Sequence, residues 1–464
     1  MTAGTTKNLL LGVFQVLGPN GMSGASWPHP ENHQVEFAQL PHWTSMARRV
    51  EQAGLDFLFL AGSYGFATIG GEVPAVSVEE GTFVRLDPLV LMSALAAATT
   101  ALGLVTTTST MFEPPYANAR RFATLDHFSR GRMGWNVVTG SAQESAAAMF
   151  GRTLTPHDER YDMADDYLDL TYAMLEGGWE DDAVLADRAS RRYADAAKVH
   201  PLHHDGPYHR AHGMFPAPPS PQRTPVVFQA GSSGRGREFA AQHAEVVFLQ
   251  GTTTEAVAAN VTDIRARTVA QGRPADSVRI VVGLSVFTGP TRQVAQQRVA
   301  ELDDLSSVQG AAARYAANTG IDLLALDPDS TLVDARGEQG QSNIDRYRGT
   351  DGSRPPSVRE ILEEVRMRAL RGLVLVGDGA DVAAQMADYV ARTDVDGFLL
   401  EPHLTPGTVD DIAEHVLPRL TERGMFGAAP RGVTLRERVF GVGRRHLPPE
   451  HRGARSRPTA ALTR

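Results

Sequence analysis

The sequence contains no cysteine and only two lysines, Lys7 and Lys198, among its 464 residues. Without cysteine there is no disulfide, no thiolate metal ligand and no cysteine nucleophile. Neither lysine lies at the end of a predicted strand. Schiff-base and pyridoxal chemistry need a lysine in the active site, so both are excluded.

The chain also lacks a net positive charge and an apolar run that would span a membrane. The net charge of -9 and the isoelectric point near 5.9 argue against a nucleic acid or an anionic membrane as a partner. The uncharged stretch between Asp87 and Glu113 changes from alanine-rich to threonine-rich near Ala101, which predicts a helix followed by a strand and not a membrane span. The N-terminus lacks a secretory pattern, so we expect a cytoplasmic protein with no membrane partner.

Short apolar runs that end in small polar residues recur along the chain, and a helical pattern follows them. The eight runs are Leu9–Gln15, Phe57–Gly62, Leu102–Thr110, Arg132–Gly140, Pro225–Gly231, Glu245–Gly251, Arg279–Gly289 and Asp396–Pro402. Runs without alternation suit strands that are buried on both faces, and eight such units close a barrel. The pattern predicts an α/β fold, a (β/α)8 TIM barrel, with a doubly wound open sheet as the alternative.

Two long insertions interrupt this rhythm, after the fourth and the seventh strand. We place them at about 141–224 and 290–372 within a single barrel domain that spans 1–440. Either insertion could form a lid. Residues 441–464 are basic and contain proline, so we expect a disordered tail there.

The run that ends at Gly231 leads into a glycine-rich turn, Gly231–Gly236, with the sequence GSSGRG. Such a turn between a strand and a helix offers backbone N–H groups, hydroxyls and the positive end of a helix dipole to a phosphate. Its glycine order fits neither a Rossmann fingerprint nor a P-loop, so an ordinary βα loop is the alternative.

Three further side chains could take part in chemistry. His157 and Tyr161 are four residues apart at a predicted helix start, so they share a face and could bind a polar ligand or transfer a proton. A capped first turn is the alternative for this pair. Asn136 is an amide within an apolar strand and must find a partner, either a neighbouring strand or the edge of a heterocycle.

The histidine-rich stretch His200–His212 raises the question of a metal. Its spacing is irregular, glycine and proline interrupt it, and no H-E-x-x-H pattern accompanies it. We therefore expect a loop without a metal. Apolar residues near the first barrel loops could line a substrate pocket or simply cover the core: Phe14, Trp27, Tyr64, Phe66, Met111, Phe112 and Tyr116.

Longer segments of the chain are similar to those of one known family: GLVTTTST at 103–110, PPYANARRFATLDHFSRGRMGWNVVTG at 114–140, HDERYDMADDYL at 157–168, the stretch 198–248, and DGFLLEPHLTPGTVDDIAEHVLPRLTERGMF at 396–426. In these segments the chain resembles the bacterial-luciferase-like flavin monooxygenases. Within the superfamily the chain is most similar to the branch of nitrilotriacetate monooxygenase component A, dibenzothiophene-sulfone monooxygenase and the pristinamycin synthase large subunit.

The resemblance implies a two-component monooxygenase that receives reduced FMN from a separate NAD(P)H-dependent flavin reductase. O2 would add to the flavin to form a C4a-(hydro)peroxyflavin that oxidises a small or medium organic substrate. Heteroatom oxidation, C–N or C–S cleavage and natural-product tailoring fit this chemistry. A deazaflavin (F420)-dependent oxidoreductase and a non-catalytic flavin-binding protein are the alternatives. We also expect a homo-oligomer.

The resemblance also assigns site residues. Those that match the family's flavin contacts are Gly62, Thr107, Asn136, His157, Tyr161, Ser232 and Ser233. Among them, His157 and Tyr161 are the catalytic candidates, and Ser233, with Ser232 beside it, matches the phosphate-binding serine. Gly62 stands where relatives commonly carry aspartate, so only its backbone can contact the flavin.

Overall fold

The structure is a computed structural model that describes residues 7–20, 26–140, 143–231, 233–250, 253–335, 344, 346–348, 354–368, 372–427, 430 and 432–458. Its strands are β1 (Leu10–Val16), β2 (Phe57–Ala61), β3 (Gly103–Ser109), β4 (Met133–Val138), β5 (Val184–Asp187), β6 (Arg192–Ala194), β7 (Pro201–Asp205), β8 (Arg210–Met214), β9 (Val226–Gln229), β10 (Val246–Leu249), β11 (Arg279–Phe287), β12 (Leu373–Val376) and β13 (Gly397–Leu400).

Eight of these strands close into a parallel barrel. The order around it is β1, β2, β3, β4, β9, β10, β11 and β13, and β13 pairs back with β1. Strand β12 extends the pairing of β11 beyond the end of β10, with Leu284–Phe287 beside Leu373–Val376. The predicted (β/α)8 barrel is confirmed, and the open sheet is excluded.

Helices surround the barrel and fill the insertions. They are α1 (Leu40–Gln52), α2 (Ala75–Glu79), α3 (Pro88–Ala98), α4 (Pro115–Ser129), α5 (Gln143–Met149), α6 (His157–Leu175), α7 (Gly234–His243), α8 (Thr254–Ala270), α9 (Arg292–Asp304), α10 (Val308–Thr319), α11 (Val358–Arg368), α12 (Gly379–Thr393), α13 (Gly407–Asp411), α14 (Leu417–Glu422) and α15 (Leu435–Phe440). In the described ranges, every helix is too short or too polar to cross a membrane.

Hydroxyl side chains start three of the helices that follow barrel strands. Ser233, Thr253 and Thr291 each accept a hydrogen bond from the backbone N–H three residues further on, at 3.0, 3.2 and 3.3 Å. These bonds satisfy N–H groups that have no partner within the helix. Each cap therefore fixes where a helix begins relative to the strand before it.

The core has two layers because successive residues of a strand point to opposite faces. On β3, Leu104 packs between the barrel and the helices, whereas Val105 points into the barrel. The interior is filled by aromatic rings, and Phe14 lies 5.2 Å from Phe59 and 5.8 Å from Phe248 between ring centroids. Leu435 of α15 joins this interior cluster from the amino end of the barrel.

The C-terminal segment folds onto the barrel. Leu447 is 1% exposed and His451 is fully buried. Arg452 donates to both carboxylate oxygens of Asp169 on α6, at 2.7 and 2.5 Å. The described residues 441–458 do not form the disordered tail that the sequence predicts, and acids elsewhere in the chain pair with Arg445, Arg452 and Arg457.

The insertion between β4 and β9 also departs from the prediction. The histidine-rich stretch is an antiparallel hairpin of β7 and β8, not a loop, and His203 lies opposite His212. The interrupting residues Gly206 and Pro207 fall between the two strands, so they form the turn that a hairpin requires.

A buried carboxyl group below β2 makes stability depend on pH. Asp56 accepts a hydrogen bond from the Leu11 backbone at 2.8 Å, and Arg438 lies 3.7 Å away. Burial raises the pKa of Asp56 to about 6, and these two partners oppose the shift only in part. An unfolded aspartate titrates near pH 3.9. Between about pH 4 and pH 6, Asp56 is therefore protonated in the folded chain and ionised in the unfolded chain. The folded state loses stability as pH rises through this window, because the buried carboxyl group must then ionise.

We expect Asp56→Asn to remove this pH dependence. The unfolding free energy of the wild type minus that of the variant should fall between about pH 4 and pH 6 and then stay level. Urea unfolding of both proteins across pH 4–8 measures the difference. A difference that is constant or rises over that window would contradict the assignment.

Candidate active site

Polar side chains replace apolar ones inside the barrel at the carboxyl ends of β3 and β4. Asn136 Nδ2 donates to Thr107 Oγ1 at 3.0 Å, and Thr107 Oγ1 donates to the Leu60 carbonyl at 3.3 Å. Asn136 is 4% exposed and Thr107 6%. Asn136 Oδ1 is buried and accepts no hydrogen bond from the described residues. Since buried polar atoms are nearly always paired, this oxygen is suited to accept from a ligand.

Gly62 follows β2 beside this pair. A Cβ there would lie 2.9 Å from Pro88 Cγ, at the start of α3, and 3.5 Å from the Thr107 carbonyl oxygen. A side chain at this position would have to move α3, which gives a physical reason for the glycine. The geometry leaves only the backbone of Gly62 to meet a ligand.

The glycine-rich turn after β9 approaches the hydroxyl of Tyr161. A Cβ on Gly231 would lie 3.0 Å from Tyr161 Oη, and one on Gly236 would lie 2.9 Å from it. Burial raises the pKa of Tyr161, while hydrogen bonds with Ser233 and Thr139 act in the opposite direction. The phenol is therefore protonated at neutral pH, so it can donate a hydrogen bond at the start of α7.

His157 begins α6, one turn before Tyr161. The two rings are 5.3 Å apart and lie edge to face, as their spacing in the sequence predicts. His157 Nδ1 lies 2.7 Å from Asp158 Oδ1, and the histidine side chain is 37% exposed. The other ring nitrogen, Nε2, is therefore the one that can face a ligand.

Charged side chains tie α6 to α7 next to this pair. The Arg235 guanidinium lies 5.6 Å from the centre of the Tyr161 ring and donates to Asp162 at 2.9 Å and Asp165 at 2.5 Å. The second oxygen of Asp165 lies 2.8 Å from Nε2 of the buried His243. Arg235 lies within the turn Gly231–Gly236, at the start of α7, so this network fixes the tyrosine relative to the turn.

Strands β4 and β9 are neighbours, and Asn136 lies opposite Phe228. The Asn136–Thr107 pair and the glycine-rich turn with Tyr161 therefore lie at adjacent strand ends. Residues that the sequence singled out and that lie at these ends, or pack against them, are Gly62, Thr107, Asn136, His157, Tyr161 and Ser233. Ser232 lies outside the described residues, so its predicted contact stays a prediction.

A further carboxylate inside the barrel was not among the predicted site residues. Glu401 follows β13 and is 2% exposed, and Ser285 of β11 donates to its Oε2 at 3.4 Å. A Cβ on Gly283 would lie 2.7 Å from Glu401 Oε1, so the acid points towards β11. The strand-end sequence Glu-Pro-His was the signal for it, because polar groups at strand ends form the active sites of such barrels.

A cavity of about 360 Å³ lies beyond the ends of β2 and β4. Phe66 and Ile69 from the loop after β2 line it, together with Ser145 of α5 and Ala317 of α10. Helix α10 belongs to the second insertion. The hydroxyl of Ser307, which caps α10, donates to Glu80 beside α2. The second insertion therefore covers this side of the barrel end.

The aromatic residues that the sequence suggested for a pocket divide into three groups. Phe66 lines the cavity, and Phe14 belongs to the barrel core. Tyr64 and Phe112 pack around Phe150, with ring centroids 5.2 and 4.6 Å from it. Phe66 thus lies at a cavity and Phe14 in the core, and a substrate contact for any of these residues stays a prediction.

Comparison with known proteins identifies the family. The family model for luciferase-like monooxygenases matches residues 22–396. Dimethyl-sulfide monooxygenase of Hyphomicrobium sulfonivorans is 35% identical, over 97% of this chain and 94% of the relative. Long-chain alkane monooxygenase of Geobacillus thermodenitrificans is 37% identical, over 97% of this chain and 98% of the relative.

Solved structures agree over the full barrel. A crystal structure of riboflavin lyase with modified FMN and riboflavin is 42% identical, has a TM-score of 0.93, and covers 98% of this chain and 100% of its own. Family model, sequences and structures all extend over most of the chain. The chain therefore belongs to the luciferase-like monooxygenase family and is a flavin-dependent monooxygenase.

Proposed function

We propose that the protein is the oxygenase component of a two-component system that receives reduced FMN from a separate NAD(P)H-dependent flavin reductase. The observation that carries the proposal is the buried Asn136 Oδ1, which has no hydrogen-bond partner among the described residues and lies at the strand end next to the glycine-rich turn. One relative, nitrilotriacetate monooxygenase component A, is named as one component of a larger enzyme, and another is named as one part of pristinamycin IIA synthase. Those names support a separate partner for this chain.

The residues fit the two ends of FMN. Asn136, Thr107 and the Gly62 backbone would hold the ring, because they offer an acceptor, a hydroxyl and close backbone approach at a buried site. Ser233 and the backbone of the turn would hold the phosphate at the start of α7, where the helix dipole favours an anion. Bound reduced FMN supplies the electrons that activate O2, so that one oxygen atom enters the substrate and the other leaves as water.

His157 and Tyr161 are the residues that we place at the reacting groups. The Tyr161 hydroxyl is a protonated donor, and His157 Nε2 can accept or donate a proton. Arg235 holds Tyr161 through its ring face and the Asp165 carboxylate. The aromatic interior below the site excludes water, which limits wasteful release of hydrogen peroxide.

The substrate we propose is a small organic molecule that enters through the cavity beside Phe66 and α10, whose lining also carries the carboxylates Glu144 and Asp322. The volume of this cavity, about 360 Å³, is at the lower end of the range for small-molecule sites. Relatives named for dimethyl sulfide and long-chain alkanes support oxidation at sulfur or carbon. Riboflavin cleavage is a second candidate, favoured by the 42% identity to riboflavin lyase.

Anaerobic titration with chemically reduced FMN tests the cofactor, with reduced deazaflavin as the comparison. We expect saturable binding of reduced FMN and, with a flavin reductase and NADH, oxygen consumption that depends on the protein. No affinity for FMN, or tighter binding of the deazaflavin, would contradict the proposal. Product analysis with dimethyl sulfide, a medium-chain alkane and riboflavin then separates the substrate candidates.

We expect His157→Ala to uncouple NADH consumption from product formation. A positioned acid or base contributes about 10²–10⁴-fold to a rate, so product formation should fall by at least about 10²-fold. The ratio of product to NADH, with hydrogen peroxide as the balance, is the readout. His33→Ala, which removes an exposed histidine paired with Glu36, is the control. Unchanged coupling in the His157 variant would exclude this role.

A further inference from the structure

One face of the β7–β8 hairpin is anchored to α6 by a single carboxylate. Asp166 Oδ1 lies 2.8 Å from His204 Nε2, and Asp166 Oδ2 accepts from the backbone N–H groups of Tyr208 and His209 at 2.8 and 2.6 Å. A Cβ on Gly206 would overlap Asp166, so only glycine permits this approach. The strands and the turn are therefore held against a long, buried helix.

The opposite face of the same hairpin brings together two imidazoles and a carboxylate. His203 and Asp205 are two residues apart on β7, and His212 lies opposite His203 on β8. The two Nδ1 atoms of the histidines are 2.8 Å apart, and His203 Nε2 lies 3.0 Å from Asp205 Oδ2. One nitrogen or oxygen atom from each residue lies within 4.8 Å of the others.

We propose that His203, Asp205 and His212 bind a divalent transition-metal ion such as Zn²⁺, Cu²⁺ or Ni²⁺. Two imidazoles with one carboxylate form a ligand set that these ions favour, whereas Mg²⁺ and Ca²⁺ prefer sites built from oxygen atoms. The three side chains are exposed, so an ion can enter directly and water can complete its coordination. The sequence-based expectation was a loop without a metal, and this proposal departs from it.

The hairpin explains why the spacing in the sequence gave no metal signal. The metal motif sought in the sequence, H-E-x-x-H, places its two histidines on one helix. In this chain His203 and His212 are nine residues apart and meet only because antiparallel pairing places them opposite each other. The contacts of Asp166 fix the backbone of the hairpin, so less conformational entropy is lost when the three side chains bind a metal ion.

Metal binding should be independent of the flavin. Asp166, which anchors the hairpin, lies on α6 five residues after Tyr161, but the ligand residues contact neither His157 nor Tyr161 in any hydrogen bond or ring contact of the described residues. The affinity for Zn²⁺ should therefore be the same with and without reduced FMN. A failure of the proposed flavin function would leave this result unchanged.

Calorimetric titration of tag-free, chelator-treated protein with ZnCl2 tests the site. We expect one ion per chain, and His203→Gln and His212→Gln should each weaken binding by at least about tenfold, since even loss of an outer-shell partner costs about 10- to 100-fold. Asp205→Asn should also weaken it. His200→Gln is the matched control, because this histidine precedes the same hairpin and contacts Glu180 at 3.0 Å.

Electron paramagnetic resonance with Cu²⁺ gives an independent readout. We expect nitrogen splitting from two imidazoles in the wild type, and from fewer in each histidine variant. Circular dichroism should show wild-type folding for the variants at His203, Asp205 and His212, since these side chains are exposed. Wild-type Zn²⁺ affinity no higher than that of the His203→Gln/His212→Gln double variant would overturn the proposal. So would an equal loss in His200→Gln.

Discussion

Replacing Arg436 with methionine is expected to destabilise the protein by about 3–5 kcal/mol, the usual cost of removing one partner from a buried ion pair. Arg436 Nε and Nη2 donate to the two carboxylate oxygens of Glu245 at 2.6 and 2.9 Å. The side chains are only 1% and 2% exposed. Arg436 also donates to the backbone carbonyls of Gln222 and Thr224. Without the guanidinium, Glu245 would keep a buried, uncompensated charge.

An exposed pair provides the control for this variant. Arg392 lies 3.2 Å from Glu255, and the two side chains are 52% and 78% exposed. Arg392→Met should therefore cost no more than about 1 kcal/mol. Chemical denaturation of both variants measures the difference. Equal losses in the two variants would show that the barrel does not depend on the buried pair.

A double variant separates two contributions to the loss of stability: the missing ion pair with Arg436 and the unpaired charge of Glu245. Glu245→Gln in the Arg436→Met background removes the uncompensated carboxylate, so part of the stability should return. The Val227 backbone, which donates to Glu245 Oε2 at 3.0 Å, can still donate to the glutamine oxygen. A double variant as unstable as Arg436→Met alone would mean that packing of α15, not charge, determines the loss.

The barrel could be predicted because its signal is local. Each apolar run carries its own strand, and the eight barrel strands lie within the predicted runs except that β1 continues to Val16. The i, i+4 relation of His157 and Tyr161 is local in the same way and gave the correct juxtaposition. Such features follow from the periodicity of one element and do not depend on distant partners.

The C-terminal segment could not be predicted because its partners are distant. Arg452 and Asp169 are separated by 283 residues, and the basic residues that suggested disorder, such as Arg452, meet acids only in the fold. The cross-strand histidine pair could not be predicted for the same reason. Gly206 and Pro207 interrupt the run in the sequence, and they form a turn only because β7 and β8 pair. Glu401 gave a strand-end signal, but its inward direction depends on the neighbouring β11.

The second large effect is expected in flavin binding. Ser233→Ala should weaken the binding of reduced FMN by about 10- to 100-fold, because a hydrogen bond to a charged group contributes about 1.5–3 kcal/mol. Ser233 also caps α7 through the Gly236 N–H, so part of any loss could come from the helix start. Thr291→Ala removes a comparable cap, to the Val294 N–H at 3.3 Å, and serves as the control.

Reduced riboflavin, which lacks the phosphate, isolates the proposed contact. If Ser233 binds the phosphate, Ser233→Ala should lower the affinity for reduced FMN and leave that for reduced riboflavin unchanged. If the serine only fixes the start of α7 and the Tyr161 hydroxyl, both affinities should fall together. Anaerobic titrations of the wild type and the two variants with both flavins give the comparison. An equal loss of affinity for both flavins would mean that the Ser233 side chain does not bind the phosphate.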